Sequence, residues 1–274
     1  MCRIPHFDDP ERYEARAFDH DRFVEILSNK RIEVAMQYPL LSMKNSESKC
    51  LMREVVAEKL SAAAELLPEG YRFRIWDAWR PFALQHELYE VYSKNIIRDF
   101  SLEGVSEEER NAMIRKFVSD PIPDREVPPV HTTGGAIDLT IVDSDGNELD
   151  MGTAFDAFTE KTKTDYFERI DANKIYNDSY FNDKNEKCNF ACKKSVQESK
   201  QIPFGNQEQY ITSVRDNRRL LFGVMTKAGF TNLPSEWWHY DYGDRFWAYY
   251  NKRSAIYEGV FTKEEIDGWR EYHG

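Results

Sequence analysis

The apolar positions of this chain follow two periods. Between Ser46 and Leu67, the residues Leu51, Val55, Leu60, Ala64 and Leu67 recur at helical spacing, which predicts an amphipathic helix stopped by Pro68-Glu-Gly70. Tyr71-Arg-Phe-Arg-Ile-Trp76 then alternates ring or aliphatic with charge, the pattern of a strand. Pro81 opens the next helix, because its fixed φ suits a first turn, and that helix runs to about Phe100. A further helix is predicted over 106–118, with Glu107, Glu108 and Glu109 early and Arg115 and Lys116 late, matching the helix dipole. Pro121, Pro123, Pro128 and Pro129 make 119–130 a stiff loop. Ala136 to Val142 reads as a strand followed by a turn at Ser144-Asp-Gly146. A second long helix is predicted over 206–228 and ends at Gly229. Trp237 to Tyr242 reads as an aromatic strand, and the tail from Arg245 to Gly274 as helical or irregular.

One stretch breaks the pattern. Residues from about 165 to 205 are rich in Asn, Asp, Lys and Tyr and have little periodicity. They read as a polar insertion in one domain spanning 1–274, either a solvated surface segment or a lid over a nearby site. At 41% hydrophobic and 14% aromatic residues, the chain has the composition of a folded protein. Thirty-seven basic against 48 acidic residues leave a formal charge of −11, which argues against nucleic acid or an anionic membrane as partner. No apolar run is long enough to cross a bilayer. The first ten residues lack the apolar core of a signal peptide, so a cytoplasmic protein is expected, or a periplasmic one whose leader has been removed. Four cysteines, Cys2, Cys50, Cys188 and Cys192, are too few for a disulfide scaffold and are expected as free thiols. The Cys188-x-x-x-Cys192 spacing is looser than that of usual metal sites.

The chemistry concentrates in three segments. In His131-Thr-Thr-Gly-Gly-Ala-Ile-Asp138 the His and Asp are seven apart, so they cannot share one face of a straight strand. Gly134-Gly135 supplies a bend that brings both side chains to one point. In Ser235-Glu-Trp-Trp-His239 the Glu must project from an irregular strand entrance to share a cleft with the His. Together they offer two imidazoles and a carboxylate as ligands, His131, Asp138 and His239, and a fourth group, Glu236, outside that set. A catalytic zinc site has three protein ligands and an open position. Such an ion lowers the pKa of a water toward ~7, and a neighbouring carboxylate can take its proton. In Trp76-Asp-Ala-Trp-Arg-Pro81, Arg80 is either a fixed cation for a developing oxyanion or the ion-pair partner of Asp77. The remaining histidines, His6, His20, His86 and His273, have no comparable neighbours and read as ordinary surface or core residues.

These segments, with Met151-Gly-Thr-Ala-Phe-Asp156 and Asn217-Arg-Arg-Leu-Leu221, make the chain resemble the D-alanyl-D-alanine dipeptidases of the VanX type. The likeness runs from about Arg22 to Tyr257. The His131/Asp138 and Glu236/His239 pairs are shared with wider relatives, including hedgehog-type domains and murein carboxypeptidases. The resemblance implies an α+β fold, with a mostly antiparallel central sheet flanked by helices. It implies one Zn2+ per chain on His131, Asp138 and His239, Glu236 as general base and acid, Arg80 on the tetrahedral intermediate, and Asp156 on the substrate's amino group. The implied reaction is hydrolysis of D-Ala-D-Ala, a cell-wall peptidoglycan dipeptide, to two D-alanines, with cell-wall recycling, nutrient use and antibiotic resistance all open as its setting. A murein carboxypeptidase or endopeptidase acting on longer stem peptides is the alternative within the same chemistry, and a zinc-stabilised binding module without turnover is the alternative outside it. The family often has a Ser two residues before its first His; here that position is Pro129, which offers no hydroxyl.

Overall fold

A computed structural model describes residues 2–8, 21–157, 159–170 and 207–273. The strands are β1 (Phe23–Ile26), β2 (Ile32–Val34), β3 (Cys50–Arg53), β4 (Arg72–Asp77), β5 (Ala136–Val142), β6 (Thr231–Asn232) and β7 (His239–Asp241). The α-helices among the described residues are α1 (Gln37–Leu40), α2 (Glu54–Ala64), α3 (Phe82–Asp99), α4 (Glu107–Ile114), α5 (Tyr166–Arg169), α6 (Gln207–Lys227), α7 (Arg245–Asn251) and α8 (Lys263–His273). Five strands form the central sheet in the order β2-β4-β5-β7-β6, and β1 pairs with β3 in a separate ribbon. Only the β2–β4 pair in the central sheet is parallel. The architecture is thus α+β with a mostly antiparallel sheet, as the resemblance implied.

The innermost strand, β5, is buried at every position, so it has no solvent face. On β4, Phe73 and Ile75 enter the core, while Arg72 and Arg74 on the opposite face pair with Glu33 at 3.0 and 2.8 Å. Leu60 of α2, Leu88 of α3, Leu139 of β5 and Met225 of α6 belong to one continuous apolar cluster, so helices and sheet share a core. Helix α3 begins directly after Pro81, as expected. Helix α4 begins with a capping box in which Ser106 and Glu109 exchange side-chain and backbone hydrogen bonds.

Two expectations are corrected. Cys50–Arg53 is a strand, and the helix predicted from Ser46 starts only at Glu54. Cys50 and Met52 are buried at a period of two, and pairing with distant Phe23–Ile26 outweighs the helical spacing of Leu51 and Val55. The aromatic strand is confined to His239–Asp241, because Trp237 and Trp238 lie in a turn held by Trp237 N donating to Thr162 O at 3.0 Å. From residue 171 onward the polar stretch lies outside the described residues, as do His20, Cys188 and Cys192. No helix among the described residues is long and apolar enough to cross a membrane.

Candidate active site

The site grows from a row across three strands. Asp138 on β5 stands opposite His239 on β7, and directly opposed residues of antiparallel strands project to the same face. On the other side of β5, a bulge between Ile75 and Asp77 shifts the register so that Asp77 also stands opposite Asp138. The first His arrives by a different route. Val130–Thr133 forms a short 3-10 turn, Gly134 ends it at φ 75°, and the chain enters β5. A Cβ on Gly134 would lie 2.5 Å from the Phe23 ring, and one on Gly135 would lie 2.5 Å from Tyr242 O. The two glycines therefore make the expected bend, and they also permit two close approaches.

His131 Nε2, Asp138 and His239 Nδ1 converge. The separations are 3.2 Å between the imidazole nitrogens, 3.3 Å from His131 to Asp138 and 3.0 Å from His239 to Asp138. Each imidazole has its other nitrogen engaged outside the triad. His131 Nδ1 lies 2.8 Å from Ala78 O, and His239 Nε2 lies 2.7 Å from Asp241 Oδ1. Those acceptors select the tautomers that turn His131 Nε2 and His239 Nδ1 inward as bare lone pairs. Burial opposes charge on Asp138, yet the two imidazoles hold its carboxyl far below the usual range. Burial also opposes charge on His239, yet Asp241 and Asp138 raise its proton affinity well above that of an ordinary histidine. A buried cluster so ready to take up positive charge, with two nitrogens and one carboxylate oxygen facing a common point, fits a divalent ion such as zinc. Among the described residues, this is the group of three whose donor atoms lie within 4.8 Å of one another.

Glu236 reaches the same place by a turn rather than by helical spacing. Asn232 Nδ2 donates to Glu236 O and His239 O, at 3.0 and 2.8 Å, which folds the β6–β7 connection tightly. Glu236 Oε2 lies 3.9 Å from His239 Nδ1, outside the triad. Burial and the nearby Asp138 and Asp156 outweigh the pull of His239 and raise its carboxyl to about 8. Arg80 is the ion-pair partner of Asp77, and it also lines the cavity. Nε and Nη2 pair with Asp77 at 2.9 and 2.8 Å, Nη1 donates to Gln85 and Nη2 to Tyr38. Three of a guanidinium's five N–H groups donate in these hydrogen bonds, and Arg80 lines the cavity wall. Asp156, at φ 57°, accepts from Tyr38 and Tyr92 at 3.0 and 2.8 Å, and burial with Asp138 nearby raises its carboxyl to about 6.

All six predicted residues line one cavity of about 180 Å³. A second chamber of about 250 Å³ adjoins it across Asp156, Glu236 and Lys116. Sequence reasoning missed Asp241, Tyr38, Tyr92 and Gln85. Only Asp241 had a signal: two positions beyond His239 on a strand, it shares that residue's face.

A mostly antiparallel α+β fold with a buried His/Asp/His cluster beside a free carboxylate is the arrangement of a metallopeptidase. Comparison with known proteins agrees, and the chain belongs to the D-Ala-D-Ala dipeptidase family, whose profile matches residues 40–191 and 204–258. It is 27% identical over 219 residues to a D-alanyl-D-alanine dipeptidase of Synechocystis sp., covering 77% of this chain and 76% of that one. It is 25% identical over 198 residues to a D-alanyl-D-alanine dipeptidase of Escherichia coli strain K12, covering 71% and 68%.

Proposed function

We propose that the protein hydrolyses free D-Ala-D-Ala to two D-alanines, with one zinc ion held by His131, Asp138 and His239. The convergence of three donor atoms beside the non-ligand carboxylate of Glu236 carries this reading. When bound, zinc supplies Lewis acidity that polarises the scissile carbonyl and acidifies water. Everything else is the work of the chain's own side chains. Glu236 takes a proton from the attacking water and returns it to the leaving amine, which departs poorly unless protonated. An N–H of Arg80 not used in its bonds to Asp77, Gln85 and Tyr38 meets the negative charge that develops on the carbonyl oxygen. Its contacts with Asp77, Gln85 and Tyr38 hold it rigid, so no reorganisation is needed at that moment. The Asp156 carboxylate, oriented by Tyr38 and Tyr92, pairs with the substrate's ammonium. The site cavity is small beside the ~300–1,000 Å³ of sites for drug-sized ligands, which favours a dipeptide over a long stem. The catalytic unit in this reading is a single domain.

Metal analysis combined with D-alanine release tests the proposal. The purified protein should carry about one zinc and should prefer D-Ala-D-Ala to an N-blocked stem pentapeptide; the reverse preference makes it a carboxypeptidase. Glu236→Gln should keep metal and fold while losing about 10²–10⁴-fold in kcat/KM. Unchanged turnover removes Glu236 as the base.

A further inference from the structure

A free dipeptide carries two charges, and Asp156 answers only the ammonium. The terminal carboxylate enters a cavity whose wall bears Asp156 and Glu236, and in the dipeptidase reading zinc and Arg80 serve the scissile carbonyl, so a further cation favours its binding. Four cationic side chains border the two chambers: Arg80, Arg115, Lys116 and Lys163. Three of them are engaged. Arg80 is tied to Asp77, Gln85 and Tyr38. Arg115 Nε is 2.7 Å from Asp120, and Lys163 Nζ is 2.6 Å from Glu160. Lys116 has no ion pair among the described residues, and it borders both chambers where they meet. Its backbone is held in the last turn beyond α4, where its N–H donates to Met113 O. Across the same cavity, Pro129 offers neither a hydroxyl nor an N–H.

We propose that Lys116 is a specificity-determining residue that binds the substrate's terminal carboxylate. The inference rests on the dipeptidase reading above. Lys116 thus selects peptides that end one residue past the scissile bond, because in a longer or amidated peptide that charge is displaced or missing. Its side chain reaches solvent, so the pairing is modest and weakens with salt.

The test uses the zinc-loaded protein with D-Ala-D-Ala and its C-terminal amide, at low and high ionic strength. Lys116→Ala should raise KM for the acid about twofold to fivefold and leave kcat in place, as expected for the loss of one partly solvated ion pair. The preference for acid over amide should fall by the same factor, and Lys116→Arg should restore most of it. Lys116→Glu should raise KM further. The salt dependence of KM seen in the wild type should flatten in Lys116→Ala. Equal losses on acid and amide, or no change in KM, overturn the assignment and leave the carboxylate to neutral groups. If the wild type turns over D-Ala-D-Ala while Lys116→Ala is silent, only this inference falls. If the wild type ignores the free dipeptide and cleaves a blocked stem peptide, the dipeptidase reading falls and takes the Lys116 assignment with it.

Discussion

Behind each candidate ligand nitrogen stands a buried acceptor, and the two acceptors differ in kind. His131 leans on a backbone carbonyl, Ala78 O, which substitution cannot remove. His239 leans on the fully buried carboxylate of Asp241. Asp241→Asn keeps the shape but replaces a charged acceptor by an amide. Metal affinity should drop about 10–100-fold in a chelator competition, whatever happens to turnover; undiminished affinity would reduce Asp241 to a packing residue. The acids that face the cavity behave differently. In metal-free protein the Glu236 carboxyl is raised to about 8 and that of Asp156 to about 6. Their folded-state values exceed their unfolded ones, so the fold favours their protonated forms. That contribution is fully present below about pH 4 and is lost as pH rises through about 6 and then about 8. Chelated protein should therefore show a thermal midpoint that falls between pH 5 and 9. Asp156→Asn should flatten the lower part of that fall, and Glu236→Gln the upper. Restoring zinc should reduce the slope, since a cation beside both groups offsets their charge. A chelated midpoint that rises over that range contradicts the assignment. The candidate site residues were legible in sequence because their types and spacing are unusual together. Tyr38 and Tyr92 were not, because a lone tyrosine carries no mark of the carboxylate it will meet.

At the scale of elements, the site is assembled by a turn, a bulge and a register. Gly134 makes the turn, and both its positive φ and the nearby Phe23 ring forbid a side chain. Gly134→Ala should cost about 2–3 kcal/mol in urea unfolding, from left-handed strain plus the displacement of Phe23. It should also weaken metal binding, since His131 and Asp138 flank that bend; an unaltered denaturation midpoint would show that the turn relaxes freely. The bulge beside Trp76 is the element that sequence could not report. The alternation from Tyr71 to Trp76 predicted a regular strand, and the strand is there. In a regular ladder, however, Asp77 would fall opposite Ile137; the extra residue moves it opposite Asp138, within reach of Arg80. A bulge arises from what both partner strands must bury, and one strand's pattern holds only half of that information. The strand at Cys50–Arg53 was misread for the same reason, since its partner lies more than twenty residues earlier in the chain.

Across the whole molecule, a buried cation ties the loop carrying Asp156 to helix α6. Arg218 on α6 donates to Met151 O at 2.8 Å, Lys163 O at 2.6 Å and Lys161 O at 2.8 Å. It faces carbonyls rather than a carboxylate, and burial pulls its guanidinium down to about 9. The same loop holds the turn before His239, because Trp237 donates through Nε1 to Thr153 and through its backbone to Thr162. Arg218 thus ties α6 to both ends of the segment that frames Asp156. A lysine cannot span three acceptors, so Arg218→Lys should cost about 2–4 kcal/mol in chemical denaturation. It should raise KM more than it alters metal content, since none of the three ligands lies on that loop. A variant with wild-type stability would mean that the carbonyls find water instead. The sequence by itself determined the periodic helices, the inner strand at Ala136–Val142 and the ligand types, because local periodicity and rare residue combinations are carried by neighbours in the chain. Only the tertiary structure decided which carboxylate stands behind His239, where Asp77 falls against Asp138, and which cation bordering the cavity has no ion pair among the described residues. Those outcomes depend on pairing between segments remote from one another, and such pairing is settled by burial and register rather than by any one segment's pattern.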